Sequence, residues 1–187
     1  MSASNVSRFF AGVGLAFCLF GMQMGVAQAK SAKEIDVEVQ AAMAEFRKNV
    51  KGAEEYLASA KGVLVMPEIK KVGFIVGGRW GAGALQIGGK TVDYYKMGEG
   101  SLGFQAGYQE ANFVFIFLTQ EALDKFRKSE GWTAGVEAGL TVVDEGVGGD
   151  LNTLKGKSSV LGFVFGKKGL MGGYSFKGEK FTKFKPE

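Results

Sequence analysis

Between Ser31 and Ala60 apolar residues recur every three or four positions: Ile35, Val39, Met43, Phe46, Val50, Ala53, Leu57 and Ala60, with charges filling the gaps. That period predicts an amphipathic helix over 31–60. Ser31-Ala32-Lys33-Glu34 has the spacing of a capping box at its start, and Gly52 is where it would divide in two. From Gly62 the pattern turns to strands. Residues 63–66 form an apolar run that stops at Pro67; 72–76 and 80–87 follow, and Gly88-Gly89 is a two-residue hairpin signal before 91–95. Leu102, Phe104, Ala106 and Tyr108 alternate with Gly and Gln, and 111–118 is almost continuously apolar, as expected of a strand covered on both faces. Thr119 is placed to cap a short helix over 120–128, with Leu123 and Phe126 on its inner side. Strand patterns resume at Val136, Ala138, Leu140 and Val142, then at 160–165 and 170–176, before a short tail at 180–185.

Many glycines sit inside these strand patterns rather than between them, which marks bends, bulges or close backbone approach. The expected fold class is therefore α+β: an N-terminal amphipathic helical segment packed on a curved, Gly-rich antiparallel sheet or barrel-like sandwich, with one short helix at about 120–128. No stretch is long or polar enough to divide residues 30–187, so they are read as one domain.

The first 29 residues differ from the rest. Arg8 precedes an apolar run over 9–26, and Ala27-Gln28-Ala29 ends it. These are the three parts of a secretory signal peptide, predicting cleavage at Ala29-Lys30 and export to the periplasm or cell envelope. Four glycines and Gln23 within the run argue against a spanning helix, and Phe17 before Cys18 argues against lipid attachment to that cysteine. A chain beginning at Lys30 has neither cysteine nor histidine, which removes thiolate chemistry and zinc sites of the Cys/His type.

Motifs suggestive of catalysis fail on context. Ala84-(x4)-Gly89-Lys90-Thr91 resembles a phosphate-binding loop, and Gly98-Glu99-Gly100-Ser101-Leu102-Gly103 matches a dinucleotide fingerprint. Both need a helix next, and both lead into strand patterns; the second is expected to be a hairpin loop. Residues 140–145 resemble an acidic metal-binding strand but read as a strand running into a turn. Asp144, Glu145 and Asp150 supply carboxylates for glycoside chemistry on paper, and a polar loop is the simpler account. The expectation is a chain that is not an enzyme, with no cofactor, no metal and no nucleic-acid partner. Trp80 and Trp132 are either core residues or anchors at a membrane interface.

Several segments carry a family likeness. Lys61-Gly62-Val63-Leu64-Val65-Met66-Pro67, followed by Val72-Gly73-Phe74-Ile75-Val76-Gly77-Gly78, resembles the opening of a SYLF domain. Residues 131–149 and Phe163-Val164-Phe165-Gly166-Lys167-Lys168-Gly169-Leu170-Met171 resemble its later parts. The resemblance implies a lipid-binding domain over 30–187. Eukaryotic SYLF proteins bind phosphoinositides, partly through an N-terminal amphipathic helix, and some bind actin; bacterial ones are exported. An exported chain without an SH3 domain would not meet actin, so the lipid property transfers and the actin property does not. An envelope scaffold that binds protein instead of lipid is the alternative.

Charge suggests where lipid would be touched. Residues 30–61 hold six charges of each sign, 62–154 hold eight basic and eleven acidic, and 155–187 hold eight lysines against Glu179 and Glu187. Lys167, Lys168, Lys177, Lys180, Lys183 and Lys185 are the first candidates for an anionic lipid surface. Lys33, Arg47, Lys48 and Lys51, on a helix that acidic residues balance, are the second.

Overall fold

A computed structural model describes residues 30–73, 76–102, 107–134, 139–144, 150–169 and 178–187. The expected signal peptide, Lys177 and the strand pattern at 170–176 lie outside them. The chain opens with α1 (Ala32–Asn49) and α2 (Ala53–Ser59), separated at Gly52 as the sequence suggests. The capping box forms: the Glu34 backbone N–H donates to the Ser31 hydroxyl at 3.3 Å, and the Ser31 N–H donates to the Glu34 carboxylate at 2.7 Å. Ile35, Val39, Ala42, Met43 and Phe46 are the buried stripe of α1.

Eight strands follow in one sheet. They are β1 (Gly62–Gly73), β2 (Val76–Ile87), β3 (Lys90–Leu102), β4 (Gly107–Phe117), β5 (Trp132–Thr133), β6 (Leu140–Asp144), β7 (Val160–Gly169) and β8 (Lys180–Phe184). Helix α3 (Gln120–Lys128) lies between β4 and β5, and α4 (Leu151–Lys157) between β6 and β7. The spatial order is β5-β8-β3-β2-β1-β4-β7-β6. All pairs are antiparallel except β6 with β7, so the sheet is mixed. Gly88 and Gly89, with φ of 58° and 75°, form the β2–β3 hairpin turn that needs positive φ at both central residues.

The sheet curls into a half-barrel. The rings show it: Phe181 on β8 and Phe115 on β4 have centroids 5.1 Å apart. Those strands are four spacings apart in the sheet order, about 19 Å if it were flat. Inside the curl lie Phe113, Phe115, Phe117, Tyr95, Trp132 and Phe181, with Leu123 and Phe126 of α3 closing the layer. The Thr119 hydroxyl caps α3 by accepting from the Ala122 N–H at 3.2 Å. Helices α1 and α2 cover part of the opposite, outer face, where Phe46 meets Phe163 and Phe165. Strand β4 thus sends Val114 and Ile116 outward to the helices and Phe113, Phe115 and Phe117 inward, so both of its faces are buried.

Several expectations are corrected. Pro67 does not end a strand: β1 runs through it to Gly73, because its register with β4 shifts between Met66 and Ile69. A bulge tolerates a residue with no N–H to give. Of the apolar run 72–76, Val72 and Gly73 end β1 and Val76 begins β2, while residues 74 and 75 lie outside the described residues. Residues 98–102 are the end of β3, not a hairpin loop, and Gly89-Lys90-Thr91 opens the same strand. The tail expected at 180–185 contains β8, and Lys167-Lys168 lie within β7 rather than between strands.

Candidate functional site

Helix α1 reaches only part of the outer face. It is tied there by two polar bridges: Asp36 accepts from the Thr91 hydroxyl at 2.9 Å and the Tyr94 hydroxyl at 3.0 Å, and Glu45 accepts from the Asn112 amide at 2.7 Å. Beyond Tyr94 and Asn112 the strands run on with no helix above them among the described residues. Residues paired in register point to the same face, so the register gives the composition of this open ground. One row across the sheet reads Lys180 (β8), Gly98 (β3), Trp80 (β2), Lys70 (β1), Glu110 (β4) and Lys168 (β7). The next reads Gly100, Gly78, Val72 and Tyr108. On the other side of the first row, Thr182, Lys96 and Ala82 are paired.

Trp80 is 49% exposed, Val72 43% and Tyr108 45%. Large apolar side chains clustered at such exposure on one face mark a contact surface. Trp80 stands clear because its neighbours on that face are small: Gly78 and Ala82 along β2, and Gly98 across from it on β3. Around it lies an open cleft of about 420 Å³, lined by Lys30, Lys70, Lys96, Pro67, Glu68 and Phe184 among others. Trp132, by contrast, is 2% exposed and belongs to the core.

The charges here are partly paired. Lys168 bonds to Glu110 at 3.0 Å, and the Tyr108 hydroxyl donates to the same carboxylate at 2.6 Å. These two donors, Tyr108 first, hold Glu110 below its ordinary pKa, and Glu110 raises that of Lys168. Lys30 is held by Glu38 at 2.6 Å. Lys70 and Lys96 form no ion pair among the described residues.

The lysines expected to act together are spread apart. Lys168 and Lys180 end the same row, five strand spacings from each other, or about 24 Å along the sheet. Lys183 projects to the opposite face of β8, beside Phe181, and pairs with Asp93, which Arg127 also contacts at 3.3 Å. Lys167 and Lys185 are exposed at the ends of β7 and β8. On α1, Lys33, Arg47 and Lys48 lie on the exposed side, as does Lys51 after it, and Arg47 bonds to Glu54 at 2.9 Å. The apolar stripe of that helix is committed to the core, so the helix as folded presents charge without a wedge. Lys70 and Lys96 were missed by a search for clusters along the chain, because strand register alone brings them to Trp80.

Of the carboxylates weighed for catalysis, Asp144 ends β6. Asp150 is the N-cap of α4, accepting from the Thr153 N–H at 2.8 Å, and that bond lowers its pKa. Glu145 is outside the described residues. No helix among the described residues is long and apolar enough to cross a membrane.

An α+β half-barrel with a helix-covered outer face and an open, lysine-bearing remainder defines the class. The family model described as "Ysc84: Las17-binding protein actin regulator" matches residues 98–186, from the end of β3 through β8, in agreement with the SYLF resemblance of the sequence. No curated protein matches the chain.

Proposed function

We propose that this chain is exported, is cleaved after Ala29, and binds anionic phospholipid surfaces in the bacterial envelope without catalysing a reaction. The observation that carries the reading is the open outer face, where Val72, Trp80 and Tyr108 stand exposed among Lys70, Lys96 and Lys168. An aromatic body that reaches the acyl boundary, with ammonium groups at the level of the phosphates, is the side-chain arrangement of an interfacial anchor. Each lysine near an anionic surface contributes about 1 kcal/mol, so three together are worth roughly a hundredfold or more in affinity.

The test is co-sedimentation with phosphatidylglycerol vesicles over a series of salt concentrations. Binding should weaken as salt rises. Reversing Lys70, Lys96 and Lys168 to Glu should abolish it, while reversing Lys33, Lys48 and Lys51 on and after α1 should leave it within a few-fold. The opposite ranking would move the contact to the helix. Intact mass of the envelope form checks processing; a mass retaining residues 9–26 would overturn the cleavage.

A protein-binding scaffold is the second reading. Val142, 53% exposed, lies on β6, which among the described residues ends the strand order and offers an edge for strand addition. The family description names Las17 and actin as the targets of other members. Binding to protein through such an edge would be insensitive to salt and to vesicles.

A further inference from the structure

The open face need not hold a membrane by diffuse attraction alone, because one part of it is concave. The cleft beside Trp80 has a volume of about 420 Å³, within the roughly 300–1,000 Å³ usual for small-molecule sites. Its apolar lining includes Trp80, Ala82, Pro67 and Phe184. Lys70 and Lys96 flank it on β1 and β3. They are two strands apart and offset by two residues, a backbone separation of about 12 Å that two four-carbon stems can close. Lys30 also lines the cleft, with its ammonium committed to Glu38, and Glu68 is the acidic residue at the rim. Glu68 sits at the β1 bulge with φ of 48°, an unusual backbone for a residue other than glycine; the bulge makes this strand depart from the plane of its neighbours.

We infer that this cleft is a one-to-one site for the head of a single anionic phospholipid, with the phosphate between Lys70 and Lys96 and the glycerol and first methylenes on Trp80, Pro67 and Phe184. The inference rests on the lipid-surface reading and deepens it: the face would select a headgroup, not only a charge density. Two cations that form no ion pair among the described residues fit one phosphate, although Lys70 also faces Glu110 across the β1–β4 register, and the apolar lining fits the part of the lipid that free phosphate lacks.

The experiment uses the chain from Lys30 onward and dihexanoyl phosphatidylglycerol below its micelle concentration. Calorimetry should give one site. Trp80 emission should shift to the blue, since Trp132 is already buried. Neutralising both lysines, Lys70→Gln with Lys96→Gln, should weaken binding about thirty-fold, with circular dichroism unchanged. Trp80→Phe should keep most of the affinity and lose the emission shift. Equal binding of glycerol phosphate or inorganic phosphate would overturn the lipid assignment, and an emission shift that persists in Trp80→Phe would place the ligand elsewhere. If the chain sediments with vesicles yet no short-chain lipid binds one-to-one, the cleft assignment alone falls. If it does not sediment at all, the surface reading falls with it.

Discussion

Replacing Phe46 by alanine tests whether α1 is part of the folded core or a helix held in reserve for a membrane. Phe46 has no exposed surface and packs edge-on to Phe163 at 5.1 Å and tilted against Phe165 at 5.5 Å. Truncating a fully buried phenylalanine costs about 3–5 kcal/mol, the lost transfer energy plus the cavity left between helix and sheet. For a domain of this size each kcal/mol lowers Tm by roughly 2–4 °C, so the fall should be roughly 6–20 °C. Urea unfolding followed by circular dichroism measures the first figure and a thermal scan the second. Vesicle binding, measured where the variant is still folded, should be unchanged, because Phe46 lies beneath α1 and away from the open face. A loss of stability below about 1 kcal/mol, together with lost vesicle binding, would refute this: it would mean that α1 leaves the sheet readily and that its apolar stripe is what enters lipid.

Three further outcomes are expected. Gly83→Ala should destabilise by several kcal/mol or prevent folding, because a Cβ there would sit 2.8 Å from the Met66 Cα and closer still to the Val65 carbonyl oxygen; soluble yield and urea midpoint are the checks. Removing Glu179, which is buried against Arg79, should cost about 3–5 kcal/mol as Glu179→Leu, and the double change with Arg79→Met should recover much of it in a denaturation cycle. Stability should also fall in acid. Glu34 is held below its ordinary 4.5 by the Ser31 hydroxyl and N–H, Glu110 by Tyr108 and then Lys168, and Asp150 below 3.8 by the Thr153 N–H. Depressed carboxylates contribute fully above their unfolded pKa and lose that contribution as pH drops through the folded one. Tm should thus hold near neutrality and decline below about pH 4.5, less steeply in Glu34→Gln.

The elements legible in the sequence were those whose signal is local. Ser31 and Glu34 announce α1, Thr119 announces α3, and Gly88-Gly89 announces the β2–β3 hairpin turn, whose backbone demands both glycines. Signals spread over space were not legible. Helix α4 has seven residues and one buried side chain, Leu151, so it has no period to display, and Asp150 three positions before Thr153 was its only mark. Strand β8 carries a lysine at each of two positions in five, which reads as a solvated tail until β3 and β5 are placed on either side of it. The parallel step from β6 to β7 depends on that unseen helix. The site divides the same way. Lys168 and Trp80 drew notice as a basic pair and a tryptophan, whereas Lys70 and Lys96 look like ordinary strand charges. A tryptophan whose neighbours at two residues either side are Gly78 and Ala82 was the available hint that one stretch of sheet is left open.

The place of β8 has a consequence for when the molecule can form. This strand follows all the other described strands in the chain, yet it sits between β5 and β3, and its Phe181 fills the inside of the curl against Trp132 and Phe115. Glu179, just before it, meets a partner 100 residues earlier in the chain. An unfinished chain lacking residues 179–184 therefore has an unfilled interior, an unpaired flank on β3 and a buried arginine without its carboxylate. Assembly must wait for residues 179–184 and then proceed through distant pairings, the slow regime for β-rich topologies. Until then the strands stay separable, and a chain cut before Gly178 should never close its sheet.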